Sequence, residues 1–351
     1  MITSVGDSAV QSCASIRADI IRFQEPEYYY FNQMTDPEWG EPDPLVCAPV
    51  STIDLEIEGK ERWMQMVLSA IKDLIKNARI NRADLKQTAL FLALPPLSRD
   101  GINKDIVETF LPEFYQRTAI EPFPVSKIFP NGHAAVCLAI EEGVFLIKSG
   151  KVKFCIIGGV DSFLDYNSLE WLDNSYRLKS ERNRDGFIPG EASAFFMIEL
   201  LDSALNRKID TLALIEGIGS AIEKNTIFSD KPCMAKGLTG AIRKAAEDSI
   251  DDSPIEWVLC DLNGESYRSG EWGIVYTRLG KIFKDLKYLQ HPADCIGDVG
   301  AASGGVYIAL ASRAFQRGYA PSDKVLLWAS SDDGERAAVV LKRYLVKKGD
   351  E

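Results

Sequence analysis

FPNGHAAVCLAIEEGVFLIKSGKVKFCIIGGVDS, residues Phe129 to Ser162, is the stretch that decides the fold. It reads as a tight turn, a helix opened by small residues, a Lys148-Ser149-Gly150 turn and a buried strand ending in Gly158-Gly159-Val160. Helix, glycine turn and apolar strand make up part of an α/β unit. His133 stands at the mouth of the helix. The positive end of the helix dipole disfavours an imidazolium there, so the stretch raises a chemical question as well as a structural one.

Strand-like runs and amphipathic helices alternate outward from this stretch. In ERWMQMVLSAIKDLIKNA (61–78), Trp63, Met66, Leu68, Ile71 and Ile75 fall mainly three or four residues apart, which predicts a helix. TALFLALPP (88–96) is a buried strand stopped by prolines, and NKDIVETFLPEFYQRT is a helix with a proline interruption. GFIPGEASAFFMIELLD, from 186, is a turn and a β run.

The second half starts near TLALIEGIGSAIE and repeats the layout. It has helices at 235–249, 271–284 and 299–316, and strands at 256–264, 324–331 and 336–345. GVYIALASRAFQRGYAPSDKVLLWASS echoes CLAIEEGVFLIKSGKVKFCIIGG, so internal duplication is expected. Two units follow, 1–205 and 206–351, with residues 20–50 reading as an ordered, aromatic and acidic surface excursion.

Hydrophobic residues at 46% and charged residues at 26% are those of a globular protein, and a net charge of −11 argues against nucleic acid. Lys342, Arg343, Lys347 and Lys348 read as a solvated tail. Cysteines 13, 47, 137, 155, 233, 260 and 295 form no CxxC pair and fit reduced, buried thiols. Only His133 and His291 are present, so an ordinary zinc site is not expected. With neither G-x-G-x-x-G nor a Walker sequence, no cofactor is expected either. The N-terminal sequence lacks a signal-peptide pattern and no apolar run reaches membrane-spanning length, so the expected location is cytoplasmic, without membrane contact.

Gly132 to Ser162, followed by RDGFIPGEASAFFMIE, resembles the β-ketoacyl synthases of the thiolase-like superfamily. The shared elements are the nucleophile-type helix, its basic Ser-Gly turn, the strand ending GGV, and the turn Gly186-Phe187 through Gly190-Glu191-Ala192. The resemblance implies a five-layer α-β-α-β-α fold of two similar halves. It also implies a homodimer paired through the strand around Phe154 to Gly158. The family's Cys-His-His set is replaced throughout. The cysteine position is His133, the two histidine positions are Asp261 and Asp298, the lysine position is Ala293, and the acyl-pocket gate is Asp332.

Ketosynthase chemistry needs a stable acyl thioester and hydrogen-bond donors for an enolate. Acyl-imidazoles hydrolyse readily, and ionised carboxylates only accept hydrogen bonds. Decarboxylative condensation is therefore disfavoured, and no catalytic residue is expected. Cys137, one helical turn further on, reads as core packing; Cys295 is expected close to the pocket. His133, Asp261 and Asp298 have three readings: a structural cluster, a divalent-metal ligand set, or a His/Asp general-base pair. NGESYRSGEWG (263–273) is either a helix-capping turn or a partner surface presenting Tyr267, Arg268 and Trp272.

The functional expectation is a catalytically silent thiolase-fold protein acting as a protein-binding accessory or chaperone-like partner. Degenerate members of the superfamily are similar to accessory proteins encoded beside type VI secretion effectors, which suggests an effector or its adaptor as partner. The expected contact surfaces are 20–50 and 263–273. The alternatives are acyl transfer or thioester hydrolysis through His133, and acyl-chain or acyl-carrier binding without reaction.

Overall fold

The computed structural model describes residues 1–26, 44–78, 80–181, 183–249 and 253–345. In the first half, chain order is β1 (Ile2–Thr3), α1 (Ala9–Arg17), α2 (Gly59–Ala78), α3 (Arg82–Leu85), β2 (Thr88–Ala93), α4 (Ile106–Thr118) and β3 (Val125–Phe129). It continues with α5 (Ala135–Lys148), β4 (Phe154–Ser162), α6 (Tyr166–Asn174), β5 (Glu191–Glu199) and α7 (Leu201–Asn206). The second half runs β6 (Leu214–Ile222), α8 (Lys236–Glu247), β7 (Trp257–Cys260), α9 (Ser266–Arg278), β8 (Tyr288–Gln290), α10 (Ala293–Ile296), α11 (Ser303–Arg317), β9 (Lys324–Ser330) and β10 (Glu335–Lys342).

Among the described residues the strands form two five-stranded sheets, ordered β1-β5-β4-β2-β3 and β6-β10-β9-β7-β8. Adding five to each label of the first gives the second, and the parallel and antiparallel pairings agree strand by strand. This is the expected repeat of two halves.

Period-two alternation builds the layers. Ala89, Phe91 and Ala93 of β2 face the central core with Ala139 and Ile140 of α5 and Val306 and Ala311 of α11. Leu90 and Leu92 face outward onto Trp63 and Val67 of α2 and Phe110 of α4. On the other sheet Val325 and Leu327 face inward, whereas Leu326 and Trp328 face Leu238, Ile242 and Trp272 of α8 and α9. The five layers are thus α2/α4, sheet, α5/α11, sheet, α8/α9. The central layers close tightly because β4 carries Gly159. A Cβ there would stand 2.2 Å from the Ala301 carbonyl oxygen of the opposite half.

Three expectations change here. β4 lies between β2 and β5, so the strand around Phe154 to Gly158 has no free edge for a dimer contact; among the described residues the edges of that sheet are the two-residue β1 and the longer β3. Of the excursion at 20–50, residues 27–43 lie outside the described residues, and Leu45, Cys47, Ala48 and Val50 are buried rather than on the surface. Lys342 ends β10 and approaches Glu216 at 3.4 Å instead of belonging to a tail; Lys347 and Lys348 lie outside the described residues. Among the described residues no helix is long and apolar enough to cross a membrane.

Candidate functional site

The loops at the carboxyl ends of β7 and β9 and the two inner helix starts meet at one place, the usual location for a site in an α/β fold. Gly132 takes a φ of +61° and starts a 3₁₀ turn, Gly132–Ala134, that feeds α5; Gly300 does the same for α11 with a φ of +49°. The two turns are held across the halves. Ala134 N donates to Ser331 Oγ at 2.9 Å, and Ala301 N donates to Asp161 Oδ2 at 2.8 Å. Ser331 Oγ donates in turn to the Asn131 carbonyl. This stitching fixes the ring of His133, which is only 3% exposed.

Asp298 Oδ1 lies 2.8 Å from His133 Nε2 and accepts Gly300 N at 2.8 Å, while Asp298 Oδ2 accepts Asn263 Nδ2 at 2.7 Å. A carboxylate only accepts, so Nε2 carries the proton. Arg268 enters from α9. Its Nη1 donates to Asp261 Oδ2 at 2.7 Å and to the Ser330 carbonyl at 2.6 Å, and its Nη2 donates to Asp332 Oδ1 at 3.1 Å. Arg268 Nη2 also stands 3.4 Å from the protonated Nε2 of His133, two cations side by side among carboxylates. Behind them Arg177 donates to Glu265 at 2.7 and 3.0 Å and to Asp332 at 2.8 and 3.3 Å. Its guanidinium lies 5.5 Å from the Phe187 ring and 5.7 Å from the Trp171 ring.

The protonation states follow from these contacts. Burial works against an imidazolium, but the Asp298 carboxylate outweighs it and holds His133 above the ordinary histidine range. Burial would raise Asp298; His133 and Arg268 overcome that and hold it well below the usual carboxylate range. Asp332 is likewise depressed, with Arg177 and Arg268 outweighing burial. Asp261 goes the other way, because for it burial dominates over Arg268 and His133. Burial also pushes the Cys137 thiol up to about 12, so it is a packing residue with no thiolate at neutral pH.

His133, Asp261, Asp298 and Asp332 therefore come together as read from the sequence. Tyr267, Arg268 and Trp272 do not form a surface. Residues 266–278 are helical, Arg268 is 2% exposed at the centre of the charge cluster, and Trp272 stacks on Trp328 at 5.4 Å in the core. Tyr267 is half-buried and donates to the Asn225 carbonyl at 2.8 Å. Cys295 turns its Sγ towards the Ile16 carbonyl, 4.0 Å away. Arg177 and Glu265 escaped the sequence reading, and Arg268 entered it only as a surface residue. The available signal was the helical spacing of Arg268, Trp272 and Val275, which puts the arginine on the buried face.

Chemically the arrangement is a set of committed donors and acceptors. The cavity beside Asp261 and Asp298, walled by Pro292, Ala293, Ile296 and Tyr307, measures about 10 Å³, enough for about one water. Arg268 contacts both His133 and Asp261, filling the place a divalent ion would need between them.

No protein-family model matches the chain. The putative mitochondrial 3-oxoacyl-[acyl-carrier-protein] synthase of Schizosaccharomyces pombe is 25% identical over 159 residues, 42% of this chain and 37% of that protein. Probable polyketide synthase 24 of Dictyostelium discoideum is 29% identical over 187 residues, 47% of this chain but 7% of its own length. Among solved structures, the ishigamide ketosynthase/chain length factor superposes with a TM-score of 0.75 at 16% identity, covering 98% of this chain and 97% of that one. The AntDE ketosynthase, in complex with the acyl-carrier protein AntF, gives 0.79 at 13% identity, with the same coverage. The chain is thus ketosynthase-like in its relatives and has the thiolase-like fold of two similar halves.

Proposed function

We propose that this ketosynthase-fold chain does not catalyse condensation and serves as a protein-binding accessory, chaperone-like in role, with an effector or its adaptor of the type VI secretion class as partner. The observation that carries this reading is the closed ionic cluster in the nucleophile's seat: a protonated His133 committed to Asp298, with Arg268 against it and about 10 Å³ of space beside it. An acyl chain needs an open cavity and an enolate needs donors. Acyl transfer or hydrolysis through Nε2 of His133 would first have to break the Asp298 contact.

Protein recognition is familiar among the structural neighbours, one of which holds an acyl-carrier protein with its ketosynthase. The halves 1–205 and 206–351 are read as duplicated units. The homodimer is assigned to the free β3 edge, beside a groove of about 630 Å³ lined by Lys127, Phe129, Leu138 and the 63%-exposed Phe145. The location is read as cytoplasmic.

Two measurements test the reading. Acyl and malonyl thioesters incubated with the protein should give neither a covalent adduct nor condensation product; turnover abolished by His133→Ala would overturn the silent site. Co-purification from the native host should recover a stable protein partner, and recovery of none would remove the accessory role. Light scattering showing a monomer at micromolar concentration would remove the dimer.

A further inference from the structure

Buried charge must be compensated locally, and the cluster around His133 does not balance. With His133 protonated it holds, among the described residues, three cations, His133, Arg177 and Arg268, against four carboxyl groups, Asp261, Glu265, Asp298 and Asp332. The neighbouring buried pairs match one to one: Arg99 with Asp161, Arg62 with Glu191, and Arg336 with Glu271.

Hydrogen bonding shows where the excess falls. Both oxygens of Asp298, of Asp332 and of Glu265 accept bonds from charged or amide donors. Asp261 differs. Its Oδ2 takes Arg268 Nη1 and Ser330 N, each at 2.7 Å, while its buried Oδ1 has no protein partner among the described residues. Asp261, 3% exposed, lines the 10 Å³ cavity. We propose that Asp261 is a protonated carboxylic acid in the folded protein at neutral pH, holding on Oδ1 the single proton that neutralises the cluster.

The groups facing Asp261 supply no alternative charge. His133 on the first 3₁₀ turn, Arg268 on α9 and Asp298 before the second 3₁₀ turn are already counted; so are Asp332 after β9 and Glu265 at the start of α9, which share Arg268 with it. Cys137 on α5, Cys260 on β7 and Tyr307 on α11 are all pushed upward by burial, so they remain neutral. The raised position of Asp261 agrees with the proton.

A device with a definite sign follows. A free aspartic acid titrates near about 3.9, and Asp261 titrates higher when folded, so folding takes up a proton between the two values. Its stabilisation is complete below the unfolded value and is lost as pH rises through the folded one. The cluster joins His133 and Arg177 of the first half to acids of the second, which makes it an alkali-sensitive fastening between the halves.

Asp261→Asn in the full chain tests this, since the amide reproduces the shape and neutrality of the acid. The wild-type folding equilibrium should weaken with rising pH more steeply than that of the variant, approaching a tenfold difference per pH unit for one proton. The infrared difference spectrum, wild type minus variant at neutral pH, should contain the carbonyl stretch of a carboxylic acid. Parallel pH slopes without that band would overturn the proposal. So would a specific stabilisation of wild type by Na⁺ or K⁺ over choline at equal ionic strength, which would put a cation where the proton is assigned. A variant that fails to fold would also overturn it, because the site would then require the charge.

Discussion

Asp161 and Asp261 are both buried carboxylates at the carboxyl ends of inner strands, and both meet an arginine, yet their surroundings differ in kind. Asp161 receives Arg99 on both oxygens, at 2.7 and 2.9 Å, and Ala301 N as well. It is a closed, balanced pair that ties β4 to the opposite half. Asp261 shares its arginine with Asp332 and Glu265 and has one oxygen without a protein partner among the described residues. Burial raises both acids. The lesson is that a buried carboxylate in this fold is at rest when one cation is dedicated to it, and is poised when several acids compete for one.

Removing the arginines breaks the comparison most severely. Arg268→Met deprives the Asp332 and Glu265 carboxylates of a shared cation and Asp261 of a donor, so a loss of about 3–5 kcal/mol is expected, measured as the urea unfolding free energy. Arg99→Met strands only Asp161 and should cost less. Equal losses would mean that the cluster is no more strained than the pair.

The pair can then be tested for closure. Arg99→Met combined with Asp161→Asn should cost less than the sum of the two single changes, with a coupling of about 0.5–3 kcal/mol. Additive single losses in a double-mutant cycle would show that Asp161 draws on partners beyond Arg99.

Asp298→Asn sharpens the other side. It replaces a charged hydrogen bond to His133 and should cost about 1.5–3 kcal/mol at neutral pH. Because the folded pKa of Asp298 is depressed, its stabilisation is present above the unfolded value near about 3.9 and is lost as pH falls through the folded one. The wild type should therefore lose stability on acidification below about pH 4 more steeply than the variant, as followed by circular dichroism. The smallest effect is expected from His133→Cys. A thiol at that position faces the ionised Asp298 carboxylate, which opposes a thiolate, so intact-mass measurement after exposure to an acyl thioester should show no adduct.

Much of this organisation could be read from the chain. The apolar runs TALFLA and KVLLWASS show buried strands, the Gly-Ala-rich helix starts show close central packing, and the echo between the halves matches the two sheets. His133, Asp261, Asp298 and Asp332 were also legible, since motif spacing fixes loop positions at strand ends. The dimer strand was misread because a continuous apolar run looks the same in a central strand as in one that pairs across an interface; only the sheet order shows that β4 has neighbours on both sides. Arg268 and Trp272 were misread because the glycines at 264, 270 and 273 and the serines around them suggested a loop, whereas packing on Trp328 holds the segment helical.

The sequence by itself determined that the loops meeting at the inner helix starts carry one imidazole and three carboxyl groups, His133, Asp261, Asp298 and Asp332, and that those carboxyls, when ionised, offer acceptors only. That follows from residue chemistry: carboxylates accept and do not donate. Tertiary structure alone decided what those groups do instead. Residues 133, 177, 261, 268, 298 and 332 are drawn from both halves of the chain, and the net charge of a buried cluster is set by which side chains share its low-dielectric space. Only there does Arg268 become the common partner of several acids, and only there does Asp261 Oδ1 lack a protein partner among the described residues.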